Sequence, residues 1–176
     1  MNRLYIITAS VLALLLLIPF ASSMAVSPES SCLTHFIYMF AHANIIHWLL
    51  NAFSLIILNR VINVHRCIAA YLASVIISFL PYIQPSHPVV GMSVIIFFFT
   101  GFITSCMLRY HRNRHLRMSS SYKTMIFQIA LILALGFIIP NMAASYHLLA
   151  FISGFLYSYA ERELRYLSLF LNTNSH

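Results

Sequence analysis

Val89–Leu108 reads VVGMSVIIFFFTGFITSCML, twenty residues without a charge, closed by Arg109. A helix rises about 1.5 Å per residue, so ~20 apolar residues cover the roughly 30 Å hydrocarbon core of a bilayer. The stretch therefore reads as a membrane-spanning helix, with Gly101 available for close approach to a neighbour. Working outward in both directions gives five more apolar stretches: Leu4–Phe20, Asn44–Leu58, Cys67–Ile83, Thr124–Ile139 and Tyr146–Ala160. Asn44–Leu58 and Tyr146–Ala160 hold only 15 residues each. Such short spans need extension by their flanks, a surround of other helices, or locally thinned lipid. Backbone polar groups cannot be left bare in lipid, so the six runs are expected as helices in a bundle. Gly136 and Gly154 offer small surfaces for contact in the fifth and sixth spans.

Composition agrees. Of 176 residues, 61% are hydrophobic and only 7% charged, too few to solvate the surface of a water-soluble domain of this size. Asp is absent, and Glu occurs only as Glu29, Glu161 and Glu163. The expectation is an all-α membrane protein in which residues 1–176 form a single transmembrane domain. The net charge of +7 invites a nucleic-acid reading, but the placement of the charges does not support one. Arg3 precedes the first span; Arg60 and Arg66 lie between the second and third. Arg109, Arg112, Arg114, Arg117 and Lys123 lie between the fourth and fifth, and Arg162 and Arg165 follow the sixth. The other connections, Ala21–Ala43, Gln84–Pro88 and Pro140–Ser145, carry no Lys or Arg. That alternation follows the positive-inside rule for six helices with both termini in the cytoplasm. Arg109–Lys123 is thus a topology signal, with anionic lipid head groups as possible contacts. The partner implied is the lipid bilayer, not nucleic acid.

The first stretch has a second reading. A basic start, an apolar run and Ala21-Ser22-Ser23-Met24-Ala25 resemble a secretory signal with its cleavage site. A retained span is preferred, because five further spans follow in any case. Cys32, Cys67 and Cys106 show no metal-binding or redox spacing and fall on different sides of the expected membrane, so no structural disulfide is expected.

Polar side chains within spans are costly and are functional candidates by default. Three groups fall at the outer ends of the even-numbered spans: His42, His47 and Asn51; Ser93, just after Pro88 and Gly91; and His147. They share one depth, and His47 and Asn51, four apart, share one helix face. Taken singly, a serine in a membrane helix usually bonds its own backbone, a histidine at a helix start is usually interfacial, and three histidines can hold a metal or haem. Together they permit nucleophilic catalysis. An imidazole titrates near neutrality and can take the proton of a weakly nucleophilic hydroxyl. The oxyanion formed on an attacked carbonyl needs donors already in place, for which His47 and Asn51 serve. With no Asp, and no Glu inside a span, any such chemistry runs through a dyad.

These residues resemble a known family. Tyr38–Asn51, YMFAHANIIHWLLN, looks like the second-helix motif H-x4-H-x3-N of the rhomboid intramembrane serine proteases. Gly91-Met92-Ser93 looks like the first three residues of their GxSG, with Phe97 four later and Gly101 eight later also matching. His147 with Gly154 matches the sixth-helix motif H-x2-G-x3-G in two of three places. The resemblance covers all six spans in order. It implies a six-helix rhomboid-like bundle in a cell membrane, of bacterial inner-membrane type, with its site near the external face. Ser93 would be the nucleophile and His147 the general base. His47, Asn51 and the Ser93 backbone N–H would form the oxyanion hole. His42, Gly91 and Phe97 would support the cavity, Phe97 by packing on the histidine. The substrates implied are transmembrane segments of other proteins, cut near the outer face at small residues, without metal or cofactor.

There are departures. Val94 stands where the second Gly of GxSG is expected, and Ala150 where the first Gly after the histidine is expected. Leu33-Thr34 replace the family's Trp-Arg pair in the first external loop. Side chains at Val94 and Ala150 are expected to bear on the spacing of Ser93 and His147, and a misplacement of about 1 Å can cost ~100-fold in rate. The alternatives to a protease are a non-catalytic rhomboid-like protein that binds membrane clients and a small polytopic transporter. No internal repeat of the kind transporters show is evident.

Overall fold

A computed structural model describes residues 24–58, 61–80, 87–113, 130 and 143–173. Among them are five α-helices: α1 Cys32–Ile37, α2 Ile45–Leu58, α3 Val64–Ser78, α4 Ser93–Asn113 and α5 Ala144–Thr173. A 3-10 turn, Tyr38–Phe40, follows α1. There is no sheet among the described residues; Val26 and Val89 form an isolated antiparallel bridge. The expected spans Leu4–Phe20 and, apart from Ala130, Thr124–Ile139 with Gly136, and the basic loop beyond Asn113, lie outside the described residues.

Local sequence explains where the helices begin. Asn44 accepts the His47 N–H through its side chain at 2.8 Å and so caps α2. Asn63 does the same for Arg66 at 2.9 Å and caps α3. The fourth helix begins four residues later than the apolar run suggests, at Ser93. Val89 is extended in its bridge, and Gly91, at φ 110°, occupies a conformation that side chains disfavour. The sixth apolar run is longer as a helix than as a sequence: α5 continues past Ala160 through Glu161 to Thr173. The segment Ala21–Ala43, expected as an external connection, contains α1 and the 3-10 turn in its described part.

α4 is the central helix, with Val94, Ile96, Phe97, Phe98, Phe99 and Ile103 all buried. Its most extensive contact is with α5. The two backbones touch where a glycine stands on each side. A Cβ on Gly101 would fall on the Phe151 carbonyl, and a Cβ on Gly154 on the Phe98 carbonyl. No other residue fits either position. The outward faces are apolar: Ile45, Leu49, Phe53 and Ile56 on α2, and Val64, Ile68, Leu72 and Ile76 on α3, three or four residues apart, are exposed. Several polar side chains, among them Asn51, Ser74, Ser78, Thr100 and Ser105, are buried while these apolar faces are exposed, an arrangement suited to a lipid solvent. No single described helix is long and apolar enough to cross a membrane. Cys32–Phe40 and Ile45–Leu58 reach that length together across a 74° bend.

At the end of the bundle away from Ser93, charges tie the helices. The Arg66 guanidinium forms a two-pronged ion pair with Glu161 of α5, at 2.8 and 2.7 Å. It also donates to the Val61 carbonyl and lies 4.3 Å from the Phe102 ring centroid. Arg109 donates to the carbonyl and hydroxyl of Ser158 and covers Tyr159.

Candidate active site

Ser93 is the first residue of α4, and His147 lies in the first turn of α5. The crossing at Gly101 and Gly154 sits about two turns below both. The distance between the two helix starts is therefore governed from within the bundle. The result is a hydrogen bond of 2.8 Å between Ser93 Oγ and His147 Nε2. Both residues are buried, His147 to within 2%. Phe97, one turn along α4 from Ser93, stacks on the imidazole, with centroids 4.2 Å apart and planes 6° apart. The ring is thus fixed in plane by an aromatic and in direction by the serine.

Val94 and Ala150 are both fully buried, and the Ser93–His147 pair is within hydrogen-bond distance with both side chains present. The backbone contact between α4 and α5 falls at the two glycines further along. That leaves room at Val94 and Ala150 for small side chains.

His47 and Asn51 lie one turn apart on α2, facing the Gly91 turn. A Cβ built on Gly91 would come within 2.8 Å of His47 Nε2 and 3.4 Å of Asn51 Nδ2. Gly91 is thus required twice, for its positive φ and for the closeness of these side chains. The Asn44 cap holds the first turn of α2 in which His47 stands. His42 is buried, its ring edge-on to that of His47 with centroids 5.4 Å apart.

Several nitrogens here are buried without a hydrogen-bond partner in the protein: His42 Nε2, His47 Nε2, Asn51 Nδ2 and His147 Nδ1. Most buried polar atoms find partners, and leaving one unmet costs about 1–3 kcal/mol. The unmet atoms on His47 and Asn51 lie beside the turn that carries Ser93. The first N–H groups of a helix have no acceptor within it, and Ser93 is the first residue of α4. Trp48 Nε1 is also buried and unpartnered. Among the described residues no three His, Cys or Glu side chains are grouped to hold a metal ion.

All seven residues singled out from sequence fall in one region: Ser93, His147, His47, Asn51, His42, Gly91 and Phe97. Sequence reasoning gave no role to Asn44, although an Asn three residues before a candidate histidine at a helix start is a capping signal. It also missed His35, buried against Phe79 and bonded to Ser78 Oγ at 3.1 Å. Nothing in the spacing of His35 marks it.

A family model described as Rhomboid domain matches residues 29–163, more than half of the chain. No curated protein matches the chain.

Proposed function

The chain belongs to the rhomboid family, membrane-embedded and all-helical, and from that premise we propose that it is an active intramembrane serine protease working through the Ser93–His147 dyad. The observation that carries this reading is the 2.8 Å bond between Ser93 Oγ and His147 Nε2 beneath a stacked Phe97.

In this reading the His147 Nε2 lone pair takes the Ser93 hydroxyl proton as Oγ attacks the carbonyl of the scissile peptide. Nδ1 then carries the imidazole's own hydrogen. Among the described residues that atom has no hydrogen-bond partner; in this reading no carboxylate completes a triad, and Phe97 orients the ring. Negative charge develops on the substrate oxygen. His47 Nε2–H, Asn51 Nδ2–H and the Ser93 N–H donate to it, each preorganised and requiring no rearrangement. The imidazolium gives its proton to the leaving amine, and the first product departs. Water, deprotonated by the same His147, then hydrolyses the acyl ester and restores Ser93. The substrates are transmembrane segments of other membrane proteins, reached from within the bilayer.

The test is cleavage of a generic transmembrane substrate by the purified protein in detergent, beside its Ser93→Ala variant. Cleavage by the wild type that Ser93→Ala abolishes supports the protease. An intact substrate with both proteins moves the reading to a non-catalytic member that binds membrane clients.

A further inference from the structure

Ser93 begins α4 and His147 lies in the first turn of α5; the glycine crossing sets how close the two helices come, and a residue outside both bears on how their first turns are aligned. Tyr38, in the 3-10 turn that follows α1, is fully buried. Its carbonyl accepts the Gly91 N–H at 3.1 Å and the Ala41 N–H at 3.3 Å, using both of its lone pairs. Its ring meets the fully buried Tyr146 ring edge-on, with centroids 6.5 Å apart and planes at 79°. That is a favourable aromatic arrangement. Tyr146 is the neighbour of His147. The Tyr38 hydroxyl donates to the Ser74 carbonyl of α3 at 3.1 Å, fixing the ring from a third helix.

We propose that Tyr38 is a positioning residue for the Ser93–His147 pair, holding the turn before Ser93 through its carbonyl and the start of α5 through its ring. The turn needs such support. Gly91 has a positive φ that nothing in its own sequence enforces. Upstream the segment is held by the Val26–Val89 bridge, with bonds of 2.8 and 2.9 Å. Between Val89 and the first helical bond of α4, from the Ile96 N–H to the Met92 carbonyl, the Gly91 N–H to Tyr38 carbonyl bond is a backbone hydrogen bond that ties the turn to another segment. The same residue sets where Tyr146 stands. A displacement of Tyr38 therefore moves the serine and the histidine relative to each other. This role rests on Ser93 and His147 being the reacting pair.

The experiment compares wild type, Tyr38→Phe, Tyr38→Ala and Phe102→Ala. Phe102 is comparably buried but lies nine residues along α4 from Ser93. Three quantities are read: the rate of Ser93 phosphonylation by a fluorophosphonate, kcat and KM on a transmembrane substrate, and amide exchange of peptides spanning 87–93. Tyr38→Phe keeps the ring and should stay within about fivefold of wild type, the worth of one hydrogen bond. Tyr38→Ala should slow phosphonylation and kcat by about 10–100-fold, leave KM nearly unchanged, and speed exchange at 87–93. Phe102→Ala should lower thermal stability without these effects. Equal phosphonylation by Tyr38→Ala and wild type, or equal losses in Tyr38→Ala and Phe102→Ala, overturns the proposal. If wild type itself neither cuts nor labels, the protease reading fails, and exchange at 87–93 still decides whether Tyr38 holds the turn. Faster exchange in Tyr38→Ala upholds that, and unchanged exchange sinks it.

Discussion

The Ser93 hydroxyl has one hydrogen to give, and its acceptor decides what the residue does. A serine within a membrane helix normally gives it to the carbonyl one turn back, as Thr100 does to Ile96 and Ser74 to Ala70, each at 2.8 Å. Ser93 is the first residue of its helix and has no helical carbonyl behind it. Its hydroxyl pairs with His147 Nε2 instead, and in the proposed reaction it donates there. Position in the helix, rather than residue type, separates the candidate nucleophile from the structural hydroxyls around it. If the pair acts as one unit, its members are not additive. Ser93→Ala and His147→Ala should each abolish cleavage while leaving insertion and folding intact, and the double variant should be no worse than either single one. Rates of substrate cleavage in the three variants check this. Near-wild-type cleavage by either single variant would remove that residue from the mechanism.

At the scale of elements, the spacing of α4 and α5 decides whether the pair can meet, and it tests the two departures from the family pattern. The helices touch at Gly101 and Gly154, where any side chain would strike a backbone carbonyl. Val94 and Ala150 lie nearer the helix starts, fully buried, with the serine and histidine already 2.8 Å apart. Replacing both with Gly cannot draw the helices together, because the contact that limits approach is elsewhere. The change removes buried methyl groups and adds two glycines to helices. It should cost about 2–4 kcal/mol of stability and leave cleavage equal or lower. Increased cleavage would mean that Val94 and Ala150 hold the pair apart. Much of this level was legible in the sequence. The periodic apolar runs gave α2, α3, α4 and α5, and the order of His47, Asn51, Ser93 and His147 gave the members of the site. The late start of α4 was not legible, since Val89 and Val90 are as apolar as the helix that follows. What stops the helix there is Gly91 and a bridge to Val26, a long-range partner that local patterning does not reveal. The extension of α5 past Ala160 was hidden for the opposite reason. Glu161 looks like the end of an apolar run, yet its charge is met by Arg66, 95 residues away.

Over the whole molecule, the two ends of the bundle differ in chemistry. One end holds Ser93, His147, the Gly91 turn and the segment around Val26 and Tyr38. The other holds the Arg66–Glu161 pair and Arg109. α3 connects them: Arg66 lies in its first turn, whereas Ser78, at its far end, bonds His35 and receives Tyr146 at 3.4 Å. Fifteen residues of helix span about 22 Å, so the arginine end and the candidate site face opposite sides of the bundle. Arginine favours the cytoplasmic side during insertion, and the orientation expected from that rule has the Ser93 end outside. Reporter fusions after Arg66, after Lys123 and at the C-terminus should therefore report cytoplasm, and fusions near Glu29, Ser86 and Asn141 should report the outside. The Arg66 and Glu29 fusions weigh most. Glu29 is three residues from Val26, whose bridge to Val89 ties it to the turn before Ser93, so its side of the membrane is the side of the site. A cytoplasmic signal at Glu29 with an external one at Arg66 would invert the protein. Ser93 and His147 would remain bonded, but they would meet substrates from the cytoplasmic face.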